Sequence, residues 1–334
     1  MPSELEPLQH WVFSGLERVS DTIAEALASD IPAVAALCKH VERYRGKMLR
    51  PTLTLLSGAA CGAETHRDPA LPLVTVAAVT EMVHMATLVH DDVLDEADVR
   101  RGGQTVNASR GNETAVILGD YLIAASYALC SQLDDPEPSR IIGRVSMDLC
   151  AGELLQLDNR DNHSLDEPTY YAILEGKTAS LVGACCRLGA RAVGADDDRI
   201  HALHTYGRRV GVAFQLQDDV LDLTGDESRV GKSLGRDLAK GKLTLPFIHH
   251  LAETAPSDRG RAIETLLAAS ETSSEAFNRT SIPDVLGQTR SVDYTAHEAR
   301  RLIAEAKTAL QSLDPSFARQ TLEILADAVL ERDR

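Results

Sequence analysis

The chain has 334 residues, 44% of them hydrophobic but only 4% aromatic, and a formal charge of −16 at pH 7. That length is ample for a deep apolar core, and an alanine- and leucine-rich composition favours close-packed helices over sheets. No Lys/Arg-rich run offsets the acidic balance, which argues against a nucleic acid as partner.

The opening MPSELEPLQHW is acidic and lacks an apolar signal core. No run of about 18 uninterrupted apolar residues follows, so neither secretion nor a membrane span is expected. Leu8, Val12, Leu16 and Val19 recur at helical spacing, with Glu17, Arg18 and Asp21 off that face, and predict a helix over 5–28. A second helix follows Pro32. In YRGKMLRP, residues 44–51, Gly46 is expected to end one helix and Pro51 to lie near the first turn of the next. Lys47 and Arg50 can then turn toward one place, beside a helix N-terminus whose dipole attracts anions. Taken alone, two basic residues near a glycine are surface.

Residues 69–97 read as one long apolar helix running into EMVHMATLVHDDVLDEADVRRGG, 81–103. Asp91, Asp92 and Asp95 stand at i, i+1 and i+4, so the first and last share a helix face, one turn apart. At an effective dielectric near 20, two carboxylates about 5 Å apart repel by about 3 kcal/mol, so a buried helix end needs a cation there. Hard oxygen ligands suit Mg²⁺, which keeps several waters and is usually completed by phosphates. Arg100, Arg101, Gly102 and Gly103 form a basic turn directly after the acids; arginine is suited to bidentate phosphate contacts, and glycine lets a backbone come close. His84 lies two turns before the carboxylates, whereas His90 reads as a satisfied core or edge residue.

From 112 to 190 three further helices are expected, broken at 134–138 and near 160–168. One carries AGELLQLD, with Gln156 and Asp158; another carries EGKTASLV, with Lys177 and Thr178. A lysine inside an apolar helix either snorkels or faces a polar cavity, and the cavity is favoured here. The acidic triplet Asp196, Asp197 and Asp198 follows Gly194 and precedes a new amphipathic run, so it reads as a loop and N-cap. The pentapeptide DDVLD then recurs in FQLQDDVLDLTGD, with Asp218, Asp219 and Asp222 again at the end of an apolar run. A glycine loop with Lys232, Asp237, Lys240 and Lys242 follows it, so an acid cluster is paired with a basic glycine loop twice. Residues 255–334 supply closing helices, interrupted around TSSEAFNRTSIP, and no site is read there. Cys38, Cys61, Cys130, Cys150, Cys185 and Cys186 lack CxxC or zinc-finger spacing and are expected as reduced thiols of a cytoplasmic protein. No segment alternates with period two and no linker divides the chain, so a single all-α domain is expected.

With GKMLRP, EMVHMATLVHDDVLDEADVRRGG, GDYL, GELLQLD, GKTASL, FQLQDDVLDLTGD and GKSLGRDLAKGKLTLP in order over about 40–250, the chain resembles a trans-isoprenyl diphosphate synthase. That family comprises the polyprenyl synthetases of the farnesyl diphosphate synthase superfamily. The resemblance implies a bundle of long helices around a deep central cavity, the two acidic motifs opposed at its mouth, and a homodimer. It assigns Asp91, Asp92, Asp95, Asp218, Asp219 and Asp222 to magnesium. Arg100, Lys177, Lys232 and Lys242 would grip the allylic diphosphate, and Lys47, Arg50, His84 and Arg101 would bind isopentenyl diphosphate. Thr178 and Gln215 would join the polar wall. Met48 departs from the pattern, since many relatives carry an arginine there, and a possible extra cation is lost.

Chain length should be set along the helix before Asp91, where Ala86 and Thr87, with Met82 and Val83 a turn deeper, replace the bulky aromatic of short-product relatives. An open floor and a medium-to-long polyprenyl product are expected, with geranylgeranyl diphosphate as the close alternative. A terpene cyclase or squalene-type synthase shares acidic helix ends but does not need the GKMLRP segment. A subunit of a heteromeric synthase is the non-enzymatic alternative. A greasy product leaves room for transient contact with a membrane.

Overall fold

The computed structural model describes residues 5–224, 236–271 and 281–332. Helices dominate, as the composition predicts. The first are α1 (Leu5–Ala26), α2 (Pro32–Val41), α3 (Leu49–Ala60) and α4 (Leu71–Leu94). A hairpin of β1 (Val99–Arg100) and β2 (Gly103–Gln104) precedes α5 (Val106–Arg110), α6 (Asn112–Cys130), α7 (Glu137–Asp158) and α8 (Glu167–Leu174). A π-helical turn, Glu175–Ala179, leads into α9 (Ser180–Ala192) and the long α10 (Asp197–Thr224). After α11 (Arg236–Ala239) come α12 (Leu245–Glu253), α13 (Arg259–Glu271), α14 (Ser281–Gly287), α15 (Ser291–Ala309) and α16 (Phe317–Leu330). The contacts divide the chain into two compact units. One holds the chain up to Ser146 with Leu181–His204 and Leu310–Leu322, and the other holds Met147–Ser180, Thr205–Ala309 and the chain from Glu323.

The first unit is built around α4. This helix is apolar nearly all round, the mark of an element buried on every side. Leu73, Val76, Val79, Met82, Val83, Met85, Ala86 and Val89 are all inaccessible to solvent or nearly so, and α1, α3 and α6 pack around them. Close approach needs small residues: a side chain at Gly58 would run into Leu73, and one at Gly189 into the Thr54 carbonyl. By length and composition both α4 and α6 could cross a membrane, although neither contains an uninterrupted apolar run of that length. Within the fold, 78% of the apolar window of α4 is buried, which makes it a core helix, against 33% for α6.

The end of α4 falls at Leu94, three residues before the expected 97, because Asp95 caps it and Glu96 turns left-handed at φ 51°. The basic turn that follows is an antiparallel hairpin. Arg101 (φ 50°) and Gly102 (φ 76°) take the two positive-φ positions that a tight primed turn requires. Ahead of α3 the left-handed residue is Met48 (φ 52°), not Gly46.

In the second unit Leu216, Phe247, Ile248, Leu302 and Ile303 are buried, with α12 packed on α15. His249 stacks on Tyr294 with ring centroids 4.0 Å apart, and the Tyr294 hydroxyl donates to Glu167 Oε1 at 2.9 Å. Gly152 on α7 lies backbone to backbone against Gly176, and a side chain on either glycine would overlap the other's main chain. This contact packs α7 against the π-helical turn that carries Lys177.

Candidate active site

In the first unit Asp91 and Asp92 occupy the last turn of α4, and the Asp95 amide donates to the Asp91 carbonyl at 2.8 Å. A helix C-terminus carries partial negative charge, so the dipole opposes these carboxylates as much as they oppose one another. Asp92 differs from its neighbours. It is 1% exposed, and its Oδ1 accepts from Arg100 Nε at 2.8 Å and pairs with Nη2 at 2.7 Å. Its Oδ2 is buried and has no hydrogen-bond partner among the described residues. Asp91 and Asp95 keep partial exposure.

Around α4 one turn and more earlier lies a basic cluster. Arg101 Nη1 donates to the Tyr44 carbonyl, and its guanidinium lies where a side chain on Gly46 would be. Close approach, rather than helix termination, is therefore the reason for glycine at 46. The buried Tyr44 ring sits 5.9 Å from Arg100 Cζ, and its hydroxyl accepts from the Val106 amide at 3.2 Å. Burial, then the nearby Asp92, push the Tyr44 phenol up to about 12. Arg50 Nε is buried with no partner.

Glu81, 2% exposed, lies beside Arg50, Arg101 and Arg45; burial raises its carboxyl and the three arginines draw it down. Burial, reinforced by Arg50, Arg101 and Arg100, holds His84 well below the usual imidazole range, so it is neutral. The structure thus brings Arg50, His84 and Arg101 together, while Lys47 is exposed.

In the second unit Asp218, Asp219 and Asp222 lie near the end of α10. Asp219 is 2% exposed, and the buried Tyr170 hydroxyl donates to its Oδ2. Burial, with Asp237, Asp218 and Asp222, pushes the Asp219 carboxyl well up, and the Tyr170 hydrogen bond opposes that rise. Asp218 Oδ1 accepts from Arg332 Nη1 at 2.9 Å, with the Arg332 guanidinium 4.0 Å over the Phe214 ring. Lys177 donates to Gln156 Oε1 at 2.7 Å and pairs with Glu153 Oε2 at 2.6 Å, so it faces polar groups. π-Helical turns such as the one holding it recur at functional sites. Thr178 Oγ1 donates to Gln215 Oε1 at 3.4 Å. Lys242 is partly exposed, its amide donating to the Asp237 carbonyl at 2.9 Å, and Asp222 is partly exposed. Lys232 lies outside the described residues.

The two motifs share one arrangement: the second aspartate is buried and held, by Arg100 in one and Tyr170 in the other, while the first and last retain accessible surface. Among the described residues no three His, Cys, Asp or Glu side chains form a ready-made metal cage. An all-carboxylate donor set of this kind fits a hard cation completed by water and phosphate oxygens. Of the four residues expected to set product length, Met82, Val83 and Ala86 are fully buried, Met82 and Ala86 within the core cluster. Thr87 is partly exposed, its Oγ1 donating to the His84 carbonyl at 2.8 Å.

Sequence reasoning passed over Tyr170, Glu81, Arg45, Glu153 and Arg332. Glu81 left a signal, a carboxylate inside an apolar helix one turn before His84. Tyr170 left none, because its partner lies 49 residues away.

A family defined as polyprenyl synthetase matches residues 31–280. Component 2 of the heptaprenyl diphosphate synthase of Geobacillus stearothermophilus is 30% identical over 332 residues, 99% of each chain. A solved decaprenyl diphosphate synthase from Rhodobacter capsulatus superposes with a TM-score of 0.89 at 32% identity, over 98% of this chain and 99% of that one. A polyprenyl synthase from Caulobacter crescentus, complexed with calcium and isoprenyl diphosphate, gives 0.87 at 30% identity over 99% and 98%.

Proposed function

The chain belongs to the polyprenyl synthetase family, and from that premise we propose that it condenses isopentenyl diphosphate head to tail with an allylic diphosphate. The product we propose is a medium- or long-chain all-trans polyprenyl diphosphate, supported by the heptaprenyl and decaprenyl activities of the relatives above. The observation that carries the reading is the repeated motif: an apolar helix ending in DDVLD, its middle aspartate anchored and its outer two accessible, with cations in reach.

In this reaction the allylic C–O bond breaks and its electron pair leaves on the diphosphate. The isopentenyl double bond supplies the electrons for the new C–C bond, and the proton lost from the isopentenyl unit passes to the released diphosphate. Asp91 and Asp95 of the first motif, and Asp218 and Asp222 of the second, would each bind magnesium, which would neutralise charge developing on the leaving group. Arg100, Lys177, Lys232 and Lys242 orient the allylic diphosphate by charge-assisted hydrogen bonds. Arg50, Arg101, Lys47 and neutral His84 hold isopentenyl diphosphate so that its double bond meets the allylic carbon. Gln215 and Thr178 complete the polar wall, and the apolar helix behind the motif keeps water from the cation. Thr87, the accessible member of the length-setting group, borders the growing chain.

We propose a homodimer formed through α6, whose exposed face includes Val116 and Ile117 (67% exposed); light scattering should return twice the chain mass. Free cysteines throughout the chain support a reducing, cytoplasmic setting. Product chromatography with radiolabelled isopentenyl diphosphate tests the central reading, and accumulation of the fifteen-carbon product alone would refute the length. The Geobacillus relative is one component of its synthase, which favours a second reading as a subunit of a heteromer; turnover by the purified chain alone excludes it.

A further inference from the structure

The resemblance read from the sequence leads one to expect an arginine at position 48, and this chain has Met48 there. The Met48 side chain is partly buried and packs against the hydrophobic core cluster of the first unit. An accessible cation is thus missing at 48. Three residues earlier Arg45 has extended backbone, and its guanidinium Nε and Nη2 are buried with no hydrogen-bond partner among the described residues. Its ion pair, Nη2 to Glu42 Oε1, spans 4.0 Å and is too long to be a hydrogen bond. Arg50 Nε is orphaned in the same way. The buried Glu81 feels the charges of Arg50, Arg101 and Arg45, which draw its carboxyl down against the effect of burial. Buried donors left unmade are costly, and a structural arginine would avoid that cost by bonding a carbonyl or carboxylate. Planar guanidinium forks match phosphate oxygens two at a time.

We propose that Arg45 supplies the cation Met48 withholds, and that its guanidinium binds the diphosphate of isopentenyl diphosphate together with Arg50 and Arg101. This rests on the function proposed above. Arg45 is then a binding residue for one substrate and not the other. Arg45 directly precedes Gly46, where the absence of a side chain lets the Arg101 guanidinium lie alongside.

The test is calorimetric titration of the full-length protein with isopentenyl diphosphate alone, which cannot turn over without an allylic partner, followed by steady-state kinetics. Arg45→Gln should raise the Kd by about tenfold or more, the loss of one charge-assisted hydrogen bond. The KM for isopentenyl diphosphate should rise in parallel, while kcat and the KM for the allylic substrate stay within about twofold. Adding Met48→Arg to Arg45→Gln should recover much of the affinity, which a merely structural role for Arg45 would not allow. A Kd unchanged in Arg45→Gln, an equal loss toward both substrates, or no recovery in the double variant overturns the inference. If Arg45→Gln does not fold, Arg45→Lys keeps the charge and loses the fork, and an unchanged Kd there overturns it equally. Failure of the wild-type chain to bind or use isopentenyl diphosphate would instead remove the proposed function, and this inference with it.

Discussion

Replacing Tyr170 by phenylalanine probes the second acidic motif with a single atom. The ring and its packing stay; the deleted hydroxyl is the donor to Asp219 Oδ2, and both residues are nearly inaccessible, at 3% and 2%. A hydrogen bond contributes about 0.5–1.5 kcal/mol net, and a buried acceptor left unmade costs about 1–3 kcal/mol. The unfolding free energy of the metal-free protein should therefore fall by about 2 kcal/mol. Partners that orient a ligating carboxylate typically contribute about 10–100-fold to metal affinity, so the Mg²⁺ needed for half-maximal turnover should rise in that range. Urea unfolding followed by circular dichroism in chelator gives the first number, and a Mg²⁺ titration of prenyl transfer gives the second. A variant within about 0.5 kcal/mol of wild type, with an unchanged Mg²⁺ requirement, would refute the idea that Tyr170 holds Asp219 in place.

Other perturbations follow from the same geometry. Arg100→Ala strands the buried Asp92 carboxylate and should cost about 3 kcal/mol, the lower end for a broken buried pair because Arg100 is itself 26% exposed; Asp92→Asn in that background should recover most of it in urea unfolding. The folded-state pKa of His84 lies well below the unfolded value of about 6.5. Its contribution to stability is thus complete above about pH 6.5 and lost as pH falls from there toward the folded value, by at most about 1.4 kcal/mol per pH unit. His84→Asn should flatten that acid limb, and a slope of the opposite sign would contradict a neutral imidazole. Thr87→Phe should shorten the product with little loss of stability, whereas Ala86→Phe overpacks the fully buried site on α4 and should cost about 1–3 kcal/mol as well; product chromatography and thermal unfolding separate the two.

The sequence carried α4 and its acidic end because helical periodicity is local, and so is the placement of three aspartates at its last turn. The shift of the helix end from 97 to Leu94 came from a left-handed Glu96, a conformation that glutamate rarely adopts and no residue type announces. Gly46 was legible as a special position but for the wrong reason, since the space it leaves is filled by Arg101 from 55 residues later in the chain. The π-helical turn at Lys177 packs against α7 through the contact of Gly152 with Gly176, a tertiary fact. Buried partners such as Tyr170 for Asp219, or Glu81 for three arginines, arise only when distant segments meet. The two identical DDVLD strings marked where chemistry occurs, but which aspartate of each would be buried depended on neighbours brought in by the fold.

The most direct measurement is incorporation of radiolabelled isopentenyl diphosphate into extractable prenyl product by the purified chain with an allylic diphosphate, run in Mg²⁺ and again in excess chelator. The account predicts chains longer than fifteen carbons in magnesium and none in chelator, with activity returning when the ion is restored. Undiminished product formation in chelator would contradict it.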